Sequence, residues 1–228
     1  MATPDDAHRP TREEIRSEFL KYAPSYALDE AAEAIERIAE LQAQRLIRDG
    51  VYYIVLADLV GSTKFAATHG NPAGAARVQR FIKHSFDALN HSELKNTALF
   101  VKEIGDAVLF IFQHFPDVLR WRAAFGEYLE LPAPEPIAIR TCVHVGEVSL
   151  EGVNPLSLAV SQCFKMEKAV AAHDLVLTDP AYHIAWPTLD LAYSAFADYG
   201  AVELDGFDQP VALHVVNAHD SAAFSDLV

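Results

Sequence analysis

The stretch VYYIVLADLVGST (51–63) constrains the fold more than any other part of the chain. Residues 51–57 are an unbroken apolar run, rich in β-branched and aromatic side chains. That composition fits a strand buried on both faces. The run ends at Asp58, and a carboxylate at the end of a buried strand must be solvated or coordinated. Small residues follow directly, and then a helical pattern begins. A strand of this kind needs strands on both sides and helices over both faces. The remaining residues must supply them, and a chain of 228 residues that is 51% hydrophobic has the material to do so.

The elements downstream follow an interpretable order. A helical pattern covers about 73–91, interrupted near Gly70 and Pro72. Residues 98–102 and 107–112 read as two strands around the turn Gly105-Asp106, a tight hairpin. Residues 115–129 are helical, and the proline-rich LPAPEP (131–136) leads into a strand at 137–145. Residues 156–170 are helical again. Short strands are predicted at 175–178, 201–204 and 211–216, with Asp179-Pro180 as a turn before a short helix. Strand–helix–strand–strand–helix–strand is the split βαβ, ferredoxin-like order, and the last strands would extend the same sheet. The expectation is one α+β domain over 51–217, a helical extension over 1–50 and a tail over 218–228. Within the extension, 11–22 and 29–48 carry helical patterns. The apolar stripe of Ile35, Ile38, Leu41 and Leu46 packs either on the chain's own core or on a partner chain.

Charge excludes some function classes. With 18 Lys and Arg against 32 Asp and Glu, the net charge is −14. A broad nucleic-acid or anionic-membrane footprint needs a basic face, so neither partner is expected. A small phosphate site remains open, because it can be locally positive or carry its own metal. Two cysteines, Cys142 and Cys163, lack a zinc spacing and make no disulfide framework, so two reduced thiols in a cytoplasmic protein are expected. The charged N-terminus has no signal-peptide core, and no apolar run is long enough to span a bilayer.

The chemistry concentrates at two aspartates. Asp58 ends the central strand, and Gly61-Ser62-Thr63 opens the next helix, where backbone N–H groups suit phosphate oxygens. Asp106 sits in the hairpin turn, which can come to lie beside the end of the first strand. Two carboxylates there could bind a pair of Mg²⁺ or Mn²⁺ ions, which prefer oxygen ligands. Taken singly, the structural reading is the stronger one: Asp58 or Ser62 as a helix cap, and Asp106 as an ordinary Gly-Asp turn residue.

Four segments in order carry a resemblance: YYIVLADLVGST (52–63), FVKEIGDAVLFIF (100–112), IRTCVHVGEV (139–148) and LAVSQCFKMEKA (158–169), with VELDGFDQPVALHVV (202–216) closing the pattern. Over 51–216 the chain resembles the class III nucleotidyl cyclases, the catalytic domains of adenylate and guanylate cyclases. The resemblance implies that Asp58 and Asp106 hold two divalent ions, Mn²⁺ or Mg²⁺, with the Leu59 carbonyl as a backbone ligand and Gly61, Ser62 and Thr63 facing the triphosphate. One metal would lower the pKa of the ribose 3′-hydroxyl that attacks the α-phosphorus, and the other would neutralise the triphosphate as pyrophosphate leaves. Active sites in such enzymes lie between two catalytic domains. A chain with a single such domain is then expected to form a homodimer with two symmetric sites.

The second half of the site departs from the family pattern. Lys102 matches the base-contacting lysine. The second base-reading position, an aspartate in adenylate cyclases, falls on Asn154. The transition-state asparagine falls on Ser161 and the transition-state arginine on Lys165. Asparagine offers a donor and an acceptor where aspartate only accepts. Uracil presents two carbonyls and one N3–H, which Lys102 and Asn154 together would complement. The short single-domain form resembles the bacterial pyrimidine cyclases of antiphage defence, which make cyclic UMP or cyclic CMP as a signal for an effector. UTP is therefore the expected substrate, with CTP or ATP as alternatives and a non-catalytic nucleotide-binding dimerisation module as a different class. Arg140 and His144 read as structural residues of the fourth strand, His144 as a satisfied core histidine.

Overall fold

The computed structural model describes residues 17, 50–89, 98–130, 136–151, 154–185, 196–205 and 207–216, with the backbone alone at 99–103, 130, 150–151 and 154–156. Apart from Ser17, which is helical and exposed, the expected helices at 11–22 and 29–48 and the tail from 218 lie outside the described residues.

The described chain runs β1 (Gly50–Leu59), α1 (Ser62–His69), α2 (Asn71–Leu89), β2 (Ala98–Ile104), β3 (Ala107–Phe112), α3 (Phe115–Glu130), β4 (Ile139–Glu151), β5 (Asn154–Leu156), α4 (Leu158–Met166), a 3₁₀ turn (Glu167–Ala169), β6 (Leu175–Thr178), α5 (Asp179–Ala185), β7 (Phe196–Val202) and β8 (Val211–Val216). Seven strands form one sheet in the order β2-β3-β1-β4-β6-β8-β7, and β5 pairs with β4. The α+β ferredoxin-like core with added C-terminal strands is thus present, and β1 is central as its composition requires.

Strand register assigns the two faces. Phe110 of β3 lies opposite Val55 and touches Phe86 of α2 and Trp121 of α3. Tyr182 of α5 stacks on His214, which stands opposite Leu177; Leu177 is level with Val143, and Val143 with Val55. Helices α2, α3 and α5 therefore cover one face. Leu56 points the other way. Its partner on β4 is Cys142, and two pleats further along β4 Gly146 carries α4. The approach is very close: a Cβ on Gly146 would stand 2.4 Å from that of Ala159. Only glycine lets the helix lie this near the strand. Burial on both faces makes residues 52–59 of β1 a continuous core strand.

Several sequence-derived boundaries are corrected. The interruption expected near Gly70 and Pro72 is present: α1 and α2 divide at Gly70, whose φ of 89° no other residue adopts readily, and the helical stretch starts at Ser62. The fourth strand starts at Ile139 and runs to Glu151, and its hairpin with β5 was not anticipated. The helix expected over 156–170 is α4 followed by the 3₁₀ turn. The strand expected at 201–204 is β7, which begins at Phe196 and carries an irregularity between Asp198 and Gly200.

Candidate functional site

Asp58 lies at the C-terminal end of β1, on the α4 face of the sheet. The ladders put Ala107 of β3 on one side of it and Arg140 of β4 on the other. The residue is 7% exposed. Arg140 donates to its Oδ2 from Nε at 2.9 Å and from Nη2 at 2.8 Å. The same Nη2 also pairs with Glu167 in the 3₁₀ turn after α4. Burial is the main influence on the Asp58 carboxyl, with the charge of Glu167 next and that of Asp106 smaller in the same direction. Arg140 opposes them through its hydrogen bond and charge. The result is a carboxyl pushed up to about 6.

Asp106 occupies the turn between β2 and β3, after Gly105 at φ 65°. Its main-chain carbonyl accepts the Leu59 N–H at 3.0 Å, and its Oδ2 accepts the Ser62 hydroxyl. These bonds bring Asp58, Leu59, Asp106 and the start of α1 to one end of the central strand. Gly61, at φ 72°, is the N-cap of α1 and offers no side chain to cap it; the first closing bond runs from Phe65 N–H to the Gly61 carbonyl at 2.9 Å. The leading amides at Ser62 and Thr63 thus form an uncapped helix N-terminus, favourable to an anion. Asp58 does not cap this helix. The Ser62 hydroxyl is committed to Asp106, so its offer to a phosphate is the backbone N–H.

The remaining predicted residues lie on other elements. Ser161 and Lys165, one turn apart on α4, share its outward stripe, while Ala159, Cys163 and Met166 face inward. Lys165 Nζ donates to the main-chain carbonyl of Asp205 and lies 5.6 Å from the Phe207 ring, so it engages the β7–β8 connection. Lys102 is in β2, level with Leu109, and Asn154 is in β5, level with Glu151. Beside α4, a cleft of about 790 Å³ is lined by the start of β1, by 144–149 of β4 and by Ser157, Leu158, Ala159 and Gln162. A smaller pocket of about 360 Å³ includes Met166, Thr178, Leu204 and Phe207, and His144 and Gln162 line both. Asp58 and Asp106 line neither.

His144 behaves as a core residue. It is buried, its Nδ1 lies 2.8 Å from the Thr178 hydroxyl, and burial lowers its pKa against the opposing effect of a Gln162 hydrogen bond. Cys142 and Cys163 are free, buried thiols. Two residues of the site escaped sequence reasoning: Arg140, read as structural, and Glu167. The register of β1 against β4 would have found the first, since it sets Arg140 directly opposite Asp58.

The donor set fits a particular kind of cation. Two carboxylates and nearby main-chain carbonyls suit a hard ion that completes its shell with water or phosphate, as Mg²⁺ and Mn²⁺ do. Among the described residues no group of three or more His, Cys, Asp or Glu is placed to hold a metal ion, so any ion at Asp58 and Asp106 would draw the rest of its shell from other oxygens.

No protein-family model matches the sequence, and no curated protein matches it significantly. Solved structures do. The adenylyl cyclase CyaB from P. aeruginosa superposes with a TM-score of 0.57 at 13% identity, over 75% of this chain and 96% of that one. An adenylate/guanylate cyclase/hydrolase from Silicibacter pomeroyi gives 0.59 at 17%, over 74% and 97%. The guanylate cyclase domain of RhGC from Catenaria anguillulae, solved with GTP, gives 0.58 at 14%, over 73% and 96%. The chain therefore has the fold of the adenylate and guanylate cyclase domains. Among the described residues, no helix is long and apolar enough to cross a membrane.

Proposed function

We propose that this chain is a nucleotidyl cyclase that converts a pyrimidine nucleoside triphosphate, UTP in preference, to its 3′,5′-cyclic monophosphate and pyrophosphate. The observation that carries the reading is the meeting of Asp58 and Asp106 beside the uncapped start of α1, on a fold shared with cyclase domains. Two divalent ions held by Asp58, Asp106 and the Leu59 carbonyl would supply acidification of the 3′-hydroxyl and charge neutralisation on the triphosphate. The α1 amides at Ser62 and Thr63 bind phosphate oxygens, and Ser62 holds Asp106 in position through its hydroxyl. The 3′-hydroxyl releases its proton to solvent as its oxygen bonds the α-phosphorus, and the bond from that phosphorus to the bridging β-phosphate oxygen breaks, freeing pyrophosphate.

The reaction needs a second chain. Ser161 and Lys165 lie on the outward stripe of α4, next to a cleft that Asp58 and Asp106 do not line. That separation supports a homodimer in which one chain brings the aspartates and its partner brings α4, Lys102 and Asn154. Lys165 then stabilises charge on the α-phosphate as a point charge, without the planar fork of an arginine. Lys102 donates to one uracil carbonyl, and Asn154 donates to the other while accepting from N3–H. The biological reading, a cyclic-nucleotide signal for an effector in antiphage defence, rests on the resemblance to stand-alone pyrimidine cyclases.

The test is product analysis by mass spectrometry with all four ribonucleoside triphosphates and Mn²⁺, beside an Asp106→Asn control. Cyclic UMP absent from the control is the expected result. Cyclic AMP or cyclic GMP would keep the enzyme and overturn the role given to Asn154. The tie between Lys165 and Asp205 favours one second reading, a non-catalytic nucleotide-binding module. It predicts nucleotide binding with no cyclic product.

A further inference from the structure

Asp58, Arg140 and Glu167 form a chain of linked charges in which Arg140 stands between two carboxylates. With Asp58 taken as a cation ligand, as in the function proposed above, we infer that Arg140 is a positioning residue that holds Asp58 as a stand-in cation, and that it withdraws onto Glu167 when Asp58 takes a divalent ion. The charge of this guanidinium then sets how tightly the site binds its metal.

Three observations point to this role. First, the strand register fixes Arg140 directly across from Asp58, and both of its contacts fall on Oδ2. An arginine does not shed its charge, so a cation approaching this carboxylate meets a positive group a few ångströms away. Second, a replacement partner is already in place. Arg140 Nη2 touches Glu167 as well as Asp58, so the guanidinium can release one carboxylate while keeping the other. The exchange leaves no buried charge unmatched, which is the condition under which breaking such a pair is tolerable. Third, Glu167 opens the 3₁₀ turn that continues α4. The acceptor is therefore anchored to the helix that bears Ser161 and Lys165, and the two halves of the proposed machinery touch within one chain through Arg140.

The test measures Mn²⁺ binding without nucleotide, at one fixed pH, from the electron paramagnetic resonance signal of free Mn²⁺. Arg140→Gln removes the competing charge and is expected to bind about ten-fold more tightly than the parent protein. Glu167→Gln leaves Arg140 with Asp58 alone and is expected to bind several-fold more weakly. A merely structural salt bridge would lower stability in both variants without moving affinity in opposite directions. An affinity for Arg140→Gln equal to or weaker than that of the parent overturns the inference. If that variant does not fold, Glu167→Gln decides: unchanged or tighter binding overturns it. Should none of the proteins bind Mn²⁺, the stand-in role falls. Cyclic product formed while all variants bind alike would remove the role of Arg140 and leave the cyclase reading standing.

Discussion

Substituting Gly146 by alanine tests how the sheet holds α4. The added Cβ would stand 2.4 Å from Ala159 Cβ, where ordinary carbon contacts lie at about 3.5–4.0 Å. Restoring that spacing requires α4 to move off β4 by more than about 1 Å. Overpacking of this kind costs about 1–3 kcal/mol. Ala159→Gly by itself costs at most about 1 kcal/mol through helix propensity, and less because the position lies in the first turn of α4. In the double variant the inserted methyl fills the space that the deleted one vacates. Its stability should exceed the additive expectation by about 1–2 kcal/mol. Urea unfolding of the four proteins, with equal m-values, measures that coupling. Additivity within about 0.5 kcal/mol would refute the idea that this contact sets the height of α4. Under the function proposed above, cyclic-product formation gives a second reading: Gly146→Ala should lower turnover beyond what its unfolded fraction explains, since α4 bears Ser161 and Lys165, and the double variant should regain it.

Three further outcomes are expected. The Asp58 carboxyl is raised from 3.8 to about 6, so between those values the folded protein holds a proton that the unfolded chain has released. Metal-free stability should therefore fall as pH rises through that window, by about 2 kcal/mol between pH about 4.5 and 7.5 relative to Asp58→Asn, and denaturation of both proteins at those two pH values measures it; parallel pH profiles would contradict the assignment. Trp121 is fully buried, packs 4.7 Å from Phe110 and donates Nε1–H to the Ser85 carbonyl at 3.1 Å. Trp121→Ala should cost about 3–5 kcal/mol in urea unfolding, and a loss below about 1 kcal/mol would remove it from the core. Burial raises both thiols, that of Cys163 to about 12. Neither should react with a thiol reagent until the protein unfolds, and labelling in the native state would show that the α4–β4 seam opens.

Legibility in the sequence obeyed one physical rule. Strands β3, β6 and β8 could be read at their true limits because each is a short apolar run closed by turn residues, and the centre of β1 for the same reason. The β4–β5 hairpin was missed because Pro155 and the charged Glu147 and Glu151 interrupt any apolar signal. The start of β7 was missed because Asp198 and Gly200 break its alternation. At the site, Asp58, Asp106 and the Gly61–Thr63 turn were visible as types at a spacing. Arg140 was visible only as a residue of a strand, because its partner lies 82 positions away and becomes adjacent only through the ladder. Sequence distance hides cross-strand ion pairs in general, and the register of two strands has to be known first.

The pairing of β4 with β6 is parallel, and every other ladder among the described residues is antiparallel. A parallel neighbour cannot be reached by a tight turn, so the chain must cross over the sheet, and α4 is the body of that crossing. The helix is thereby strapped at both ends to adjacent strands. It cannot slide along its own axis without dragging one of them out of line. Any adjustment that a second chain imposes on its outward stripe must travel as a tilt of helix and strands together, so the seam between two such chains would behave as a stiff lever.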